Sequence, residues 1–127
     1  DPPMPKKILV VDDSRIAQLQ LQKILADSDY EVVGCCQSGE EALELCDKLS
    51  PDLVTMDILM PGMDGLEAAR LLLQKDPKAH VLMVSSLAYD DTIDEAVRIG
   101  AAGFVYKPFD GEQLFAALNK IFPAVSA

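Results

Sequence analysis

The sequence predicts a one-domain α/β fold, a parallel sheet with helices on both faces. Short apolar runs suited to buried strands alternate five times with segments of helical periodicity, the pattern of successive βαβ units. The runs are nearly continuous in Ile, Leu and Val, as in strands covered on both sides. A chain of 127 residues supports one core, able to bury roughly two thirds of the unfolded surface. Right-handed crossovers then bring the carboxyl ends of all strands to one edge of the sheet.

Each element has its own signal. Residues 1–5, Asp-Pro-Pro-Met-Pro, read as an unstructured lead-in. Ile8–Val11 is a strand that runs into Asp12-Asp13, and Ser14 offers an N-cap to a helix with Ala17, Leu21, Ile24 and Leu25 on one face. Val32–Cys36 is a more mixed strand. Ser38 and Glu41 form a capping-box pattern ahead of a helix bearing Ala42, Leu45, Cys46 and Leu49. Leu53–Met56 is a strand ending in Asp57. A second apolar run stops at Pro61-Gly62, and Asp64-Gly65 opens a helix marked by Leu66, Ala69 and Leu73. Val81–Val84 ends in Ser85-Ser86, and Thr92 with Glu95 predicts a second capping box, for a helix carrying Ile93, Ala96 and Val97 that Gly100 stops. Phe104-Val105-Tyr106 ends in Lys107-Pro108. Asp110 caps a last helix with Leu114, Ala117, Leu118 and Ile121, which Pro123 terminates, leaving residues 123–127 as a short tail with no linker or output domain.

Charge and composition exclude several classes of function. Eleven Lys and Arg against 21 Asp and Glu give a net charge of -10, which repels a phosphate backbone and argues against direct nucleic-acid binding. No apolar run approaches a membrane span and no signal segment opens the chain, so a soluble, cytoplasmic protein is expected. Cys35, Cys36 and Cys46 lack CxxC spacing and read as buried reduced thiols. His80, the single histidine, reads as a polar strand-edge residue rather than a ligand or phosphocarrier.

The chemistry lies at the strand ends, where open α/β sheets bind their ligands. There the sequence places Asp12 and Asp13, then Asp57, Ser85 and Lys107. Individually these are a helix N-terminal acidic pair, a capped turn, a turn serine and a solvated lysine. Jointly they put three carboxylates at one edge, where mutual repulsion raises their pKa unless a cation sits among them. A hard divalent ion such as Mg²⁺ suits carboxylate oxygens, and no His or Cys cluster exists for zinc. With Lys107 it would neutralise a phosphoryl group approaching Asp57, to which the Ser85 hydroxyl could donate. Two other classes fit less well. A flavodoxin-like cofactor module wants a Ser/Thr/Gly-rich loop after the first strand, where Asp12-Asp13-Ser14 has the wrong charge. A haloacid-dehalogenase-type phosphatase wants a second Asp two residues beyond the first, and that position is Leu59.

These residues resemble a known family. Asp12-Asp13, the stretch Asp57-x-x-Met-Pro-x-Met-Asp-Gly, Ser85 and Lys107-Pro-Phe are similar to the motifs of response-regulator receiver domains of bacterial two-component signalling, above all stand-alone chemotaxis regulators of the CheY type. The resemblance spans residues 6–122. It implies a doubly wound, flavodoxin-like, five-stranded parallel sheet in the order 2-1-3-4-5 with five helices. It also implies that Asp57 accepts a phosphoryl group from a sensor histidine kinase, and that Asp12, Asp13, Asp57 and the backbone carbonyl of Leu59 hold Mg²⁺, Asp12 directly or through water. Lys107 would contact the phosphoryl oxygens and precede a cis peptide bond, and Ser85 and Phe104 would act as the switch, although an aromatic in that strand also reads as plain core. Phe109, Phe115 and Tyr106 read as core or as partner surface. The implied partners are the kinase, a downstream effector or output domain and a phosphatase, so the protein would be a signalling domain rather than an enzyme, or the receiver of a larger regulator. Leu59 and Leu87 occupy the positions that flank the path of the hydrolytic water, and neither can hydrogen-bond it, so the resemblance implies a long-lived phosphorylated state.

Overall fold

Five parallel strands form one sheet: β1 (Lys6–Val11), β2 (Tyr30–Cys36), β3 (Leu53–Asp57), β4 (Val81–Ser85) and β5 (Gly103–Tyr106), in the order β2-β1-β3-β4-β5. The computed structural model describes residues 4–87 and 89–126. Helices α1 (Arg15–Leu25), α2 (Gly39–Leu49), α3 (Gly65–Lys75) and α4 (Asp90–Arg98) fill the four crossovers, and α5 (Gly111–Ile121) follows β5. The expected strand order and helix count both hold.

The period of two along a strand divides the core in two. Leu9, Val11, Val54, Met56, Val81 and Met83 face the layer of α2, α3 and α4, where Ala42, Ala68, Ala69, Leu72 and Ala96 are buried against them. Ile8, Val10, Leu53, Leu82, Val84 and Val105 face α1 and α5, packing on Leu21, Leu25, Leu114 and Leu118. Each fully buried Leu or Ile contributes about 1.5–3 kcal/mol, and every residue of β3 and β4 is buried. The register sets Val11 beside Met56 and Asp57 beside Val84. The carboxyl ends of β1, β3 and β4 are therefore level.

Caps fix where four helices begin. Ser14, Ser38, Asp64 and Asp110 each accept a hydrogen bond from a backbone N–H in the first turn, and Asp110 completes a capping box with Gln113. At Ser38 the partner differs from the expected box, since the carboxylate of Glu41 accepts from the Ser38 hydroxyl at 3.1 Å.

Several expectations are corrected. α4 starts at Asp90, not after Thr92, with Tyr89 at the N-cap and no side-chain cap. The carboxylates of Asp90 and Asp91 in the first turn favour the earlier start through the helix dipole. Val97 is 71% exposed, leaving Ala96 as the buried contact of that helix. β2 begins at Tyr30, whose buried ring lies near Phe115 and Phe122 and whose hydroxyl donates to Asn119. The cysteines are free, but only Cys36 is buried; Cys35 and Cys46 are half-buried. Beyond α5 the chain makes a 3₁₀ turn at Pro123–Ser126, anchored by buried Phe122. His80 stands edge-on to that ring at 5.1 Å. Of the expected lead-in, Met4 is 88% exposed and residues 1–3 lie outside the described residues.

One glycine is required by close approach. A Cβ on Gly65 would lie 1.8 Å from the carbonyl oxygen of Asp57, and the Gly65 N–H donates to the Ile58 carbonyl at 2.8 Å. α3 thus abuts the backbone of the loop that follows Asp57. Overlap with backbone cannot be relieved by a rotamer change, so Gly65→Ala is expected to cost about 3 kcal/mol or more in urea denaturation. Gly111→Ala, whose added carbon would meet its nearest neighbour at 3.5 Å, is expected to stay within about 0.5 kcal/mol of the parent.

Candidate functional site

The loops after β1, β3 and β5 meet at the carboxyl edge of the sheet. Asp12, Asp13 and Asp57 each offer a carboxylate oxygen within 4.8 Å of the others. Asp12 and Asp57 are buried, 2% and 6% exposed, and Asp13 is open to solvent. Lys107 reaches in from the end of β5. Its Nζ donates to Asp12 Oδ2 at 2.7 Å and lies 3.6 Å from Asp57 Oδ1. Asp12 is further held by the Ser14 backbone N–H, which donates to Oδ1 at 2.9 Å.

One ammonium against three carboxylates leaves two negative charges uncompensated. Burial, reinforced by Asp12 and Asp13 and opposed by Lys107, pushes the Asp57 carboxyl up to about 6 from its ordinary 3.8. The donor set is all oxygen, carries two excess charges and is open on the Asp13 side. It fits a hard divalent cation such as Mg²⁺, which binds through a few carboxylates and keeps several waters.

The strands and the core place the remaining expected residues. Ser85, fully buried, ends β4 one residue beyond the partner of Asp57. Its hydroxyl accepts from the Leu87 N–H at 3.1 Å, and its carbonyl accepts from the Lys107 N–H at 3.0 Å. The peptide bond between Lys107 and Pro108 is cis. Phe104 pairs in register with Met83, is half-buried against the α2–α4 side of the core, and has its ring 5.2 Å from that of Tyr106. Leu59 has its side chain 55% exposed, whereas Leu87 packs against the core. Phe109 and Phe115 pack on the α1–α5 side of the core, and Tyr106 is 45% exposed.

One residue at this edge escaped the sequence reading. Gln18 is 1% exposed and its amide donates to the carbonyls of Asp12 and Cys36. Its signal was positional: Gln18, Leu21 and Leu25 share the buried stripe of α1, where a polar residue needs partners.

The fold and this acidic edge define a class. Residues 8–119 match the response regulator receiver domain family, and the chain belongs to that family. Within it, the chain is similar to the chemotaxis protein CheY of Listeria monocytogenes, 41% identical over 114 residues that cover 90% of this chain and 96% of that protein. CheY of Thermotoga maritima is 38% identical, covering 93% of this chain and 98% of that protein. Among solved structures, a chain of the CheX-CheY-BeF3-Mg+2 complex from Borrelia burgdorferi superposes with a TM-score of 0.90 at 30% identity, covering 94% of this chain and 90% of that chain. No helix among the described residues is long and apolar enough to cross a membrane.

The raised pKa has a consequence for stability. With its folded pKa near 6 and an ordinary value of 3.8, Asp57 destabilises the metal-free fold above pH 6, and this cost disappears as pH falls through 6 toward 3.8. In a chelator at pH 8, Asp57→Asn is expected to be the more stable protein by at most about 3 kcal/mol. The gap in urea midpoints should close by pH 4; a constant gap would mean that Asp57 titrates normally.

Proposed function

We propose that the chain is a cytoplasmic phospho-accepting receiver that takes a phosphoryl group from the phosphohistidine of a sensor kinase onto Asp57. The observation that carries this is the grouping of Asp57 with Asp12 and Asp13 and with the ammonium of Lys107. An Asp57 carboxylate oxygen attacks phosphorus, the P–N bond breaks, and an acyl phosphate forms. Above pH 6 the carboxyl is ionised and competent to attack. Asp12, Asp13 and Asp57, with the Leu59 carbonyl, would hold Mg²⁺, which when bound supplies charge neutralisation for the incoming phosphoryl oxygens. Lys107, already 3.6 Å from Asp57, turns to those oxygens, and Ser85 donates its hydroxyl to one of them. The transfer asks for positioning and charge compensation rather than a diffusing substrate, so the domain, residues 6–122, acts as a signalling element and not as an enzyme.

The output surface is the face of α4, β5 and α5, where Tyr89, Val97 and Tyr106 are 66%, 71% and 45% exposed. Phe104 and Ser85 link it to the site, and a downstream protein or output domain is its partner. A receiver within a larger regulator is the second reading. It is favoured by 44% identity over 104 residues to the protein-glutamate methylesterase/protein-glutamine glutaminase of Archaeoglobus fulgidus, in which the match covers 30% of that protein.

A small phosphodonor with Mg²⁺ should add one phosphate to Asp57, seen as a mass increase that Asp57→Asn abolishes. A stoichiometric, acid-stable phosphate elsewhere on the variant would refute the assignment. Amide exchange should change between Tyr89 and Tyr106 when a phosphate mimic binds, and a bound mimic with unchanged exchange there would remove the proposed output face.

Leu59 and Leu87 predict a long-lived phosphoryl group ended mainly by a phosphatase or by back-transfer. Neither side chain can hold a water in line with the scissile bond. The double variant Leu59→Asn, Leu87→Glu should lose phosphate faster, about tenfold for each ~1.4 kcal/mol of barrier removed. A folded double variant that binds Mg²⁺ normally and loses phosphate at the parent rate would show that water positioning does not set the lifetime.

A further inference from the structure

Gln18 is placed to control the geometry of the acidic edge. Its Nε2 donates to the Asp12 carbonyl at 2.8 Å and to the Cys36 carbonyl at 3.1 Å, bridging the ends of β1 and β2. Its Oε1 accepts from Arg15 Nη1 at 3.1 Å. That guanidinium fixes the sense of the amide, because the inverted form would aim its oxygen at two carbonyls and its nitrogen at a cation. All the polar groups of Asp12 are then held: its N–H donates to the Cys36 carbonyl at 3.0 Å, its carboxylate accepts from Ser14 and Lys107, and its carbonyl accepts from Gln18. The same carbonyl belongs to the peptide plane that leads into Asp13. Rotation of that plane would swing the exposed Asp13 carboxylate away from Asp12 and Asp57.

We infer that Gln18 is a positioning residue. By holding the Asp12 carbonyl it fixes the peptide between Asp12 and Asp13, and so keeps the Asp13 carboxylate beside those of Asp12 and Asp57. Hydrophobic burial gives no reason for an amide at this place on α1, since Leu or Met would fill it without needing partners. The metal-binding consequence rests on the receiver reading proposed above, whereas the local geometry does not.

The test compares Gln18→Met, similar in length but without donors, with Leu118→Ala, a fully buried truncation in α5 that lowers global stability without touching this edge. In metal-free protein, the Asp12 and Ser14 amides of Gln18→Met should exchange about tenfold faster than the loss of global stability accounts for. The Kd for Mg²⁺, measured by calorimetry, should weaken about tenfold, as for other changes to groups that orient ligands. Leu118→Ala should change neither beyond its global effect. Arg15→Ala, an exposed change that leaves the Gln18 Oε1 without its guanidinium donor, should shift both in the same direction by a smaller factor, and it decides the matter if Gln18→Met does not fold. Local exchange within twofold of the parent overturns the inference, whatever happens to Mg²⁺ binding. Faster local exchange with unchanged Mg²⁺ affinity overturns its link to the metal. If the parent binds no Mg²⁺ while exchange changes as expected, the positioning role stands and the metal-binding reading fails.

Discussion

The arrangement of the carboxyl edge turns on one ammonium group, that of Lys107, set between two buried carboxylates. Two like charges about 4 Å apart repel by about 4 kcal/mol at an effective dielectric of ~20, far more than a surface ion pair returns. Lys107 offsets part of this through Asp12 at 2.7 Å and less through Asp57 at 3.6 Å. Burial first, and then the charge of Asp12, push the Asp57 carboxyl up to about 6 against the opposing ammonium. The asymmetry is useful to an acceptor: Asp12 is tied down by three donors, while Asp57 keeps a reactive oxygen less committed.

Such a site can exist only on a scaffold that carries the cost. Here β3 is buried along its whole length between two apolar layers, and α3 begins with Gly65 against the backbone of Asp57 itself. Packing on both faces holds the strand ends level whether or not the charges are compensated. The electrostatic strain is therefore confined to side chains and loops at the edge, where a bound cation or a phosphoryl group can act on it.

Much of this was legible in the sequence because a parallel sheet makes sequence position equivalent to place. Four of the apolar runs end in polar residues, and right-handed crossovers bring Asp12, Asp57, Ser85 and Lys107 to a common edge without any need to know side-chain geometry. Two of the misses depend on contacts between elements, and a third on competing local signals. Gln18 looks like one more polar residue until the carbonyls above it are seen. The half-burial of Cys35 and Cys46 depends on how far α1 and α2 cover the sheet. The start of α4 was misplaced because a capping-box pattern at Thr92 competed with the dipole-favoured pair Asp90-Asp91, and the pair won.

That last miss bears on how a signal would leave the site. Four helices begin at a side-chain cap, each worth about 1 kcal/mol, whereas α4 has none and buries only Ala96 among its described residues. It is the least anchored helix, and it follows the loop attached to Ser85. The Ser85 hydroxyl accepts from the Leu87 N–H, which ties the start of that loop to the end of β4. β4 and β5, by contrast, are held to each other by the ladder and by the bond from the Lys107 N–H to the Ser85 carbonyl. If Asp57 is phosphorylated as proposed, α4 is the helix with the least holding it in place, and a two-state switch requires an element of that kind.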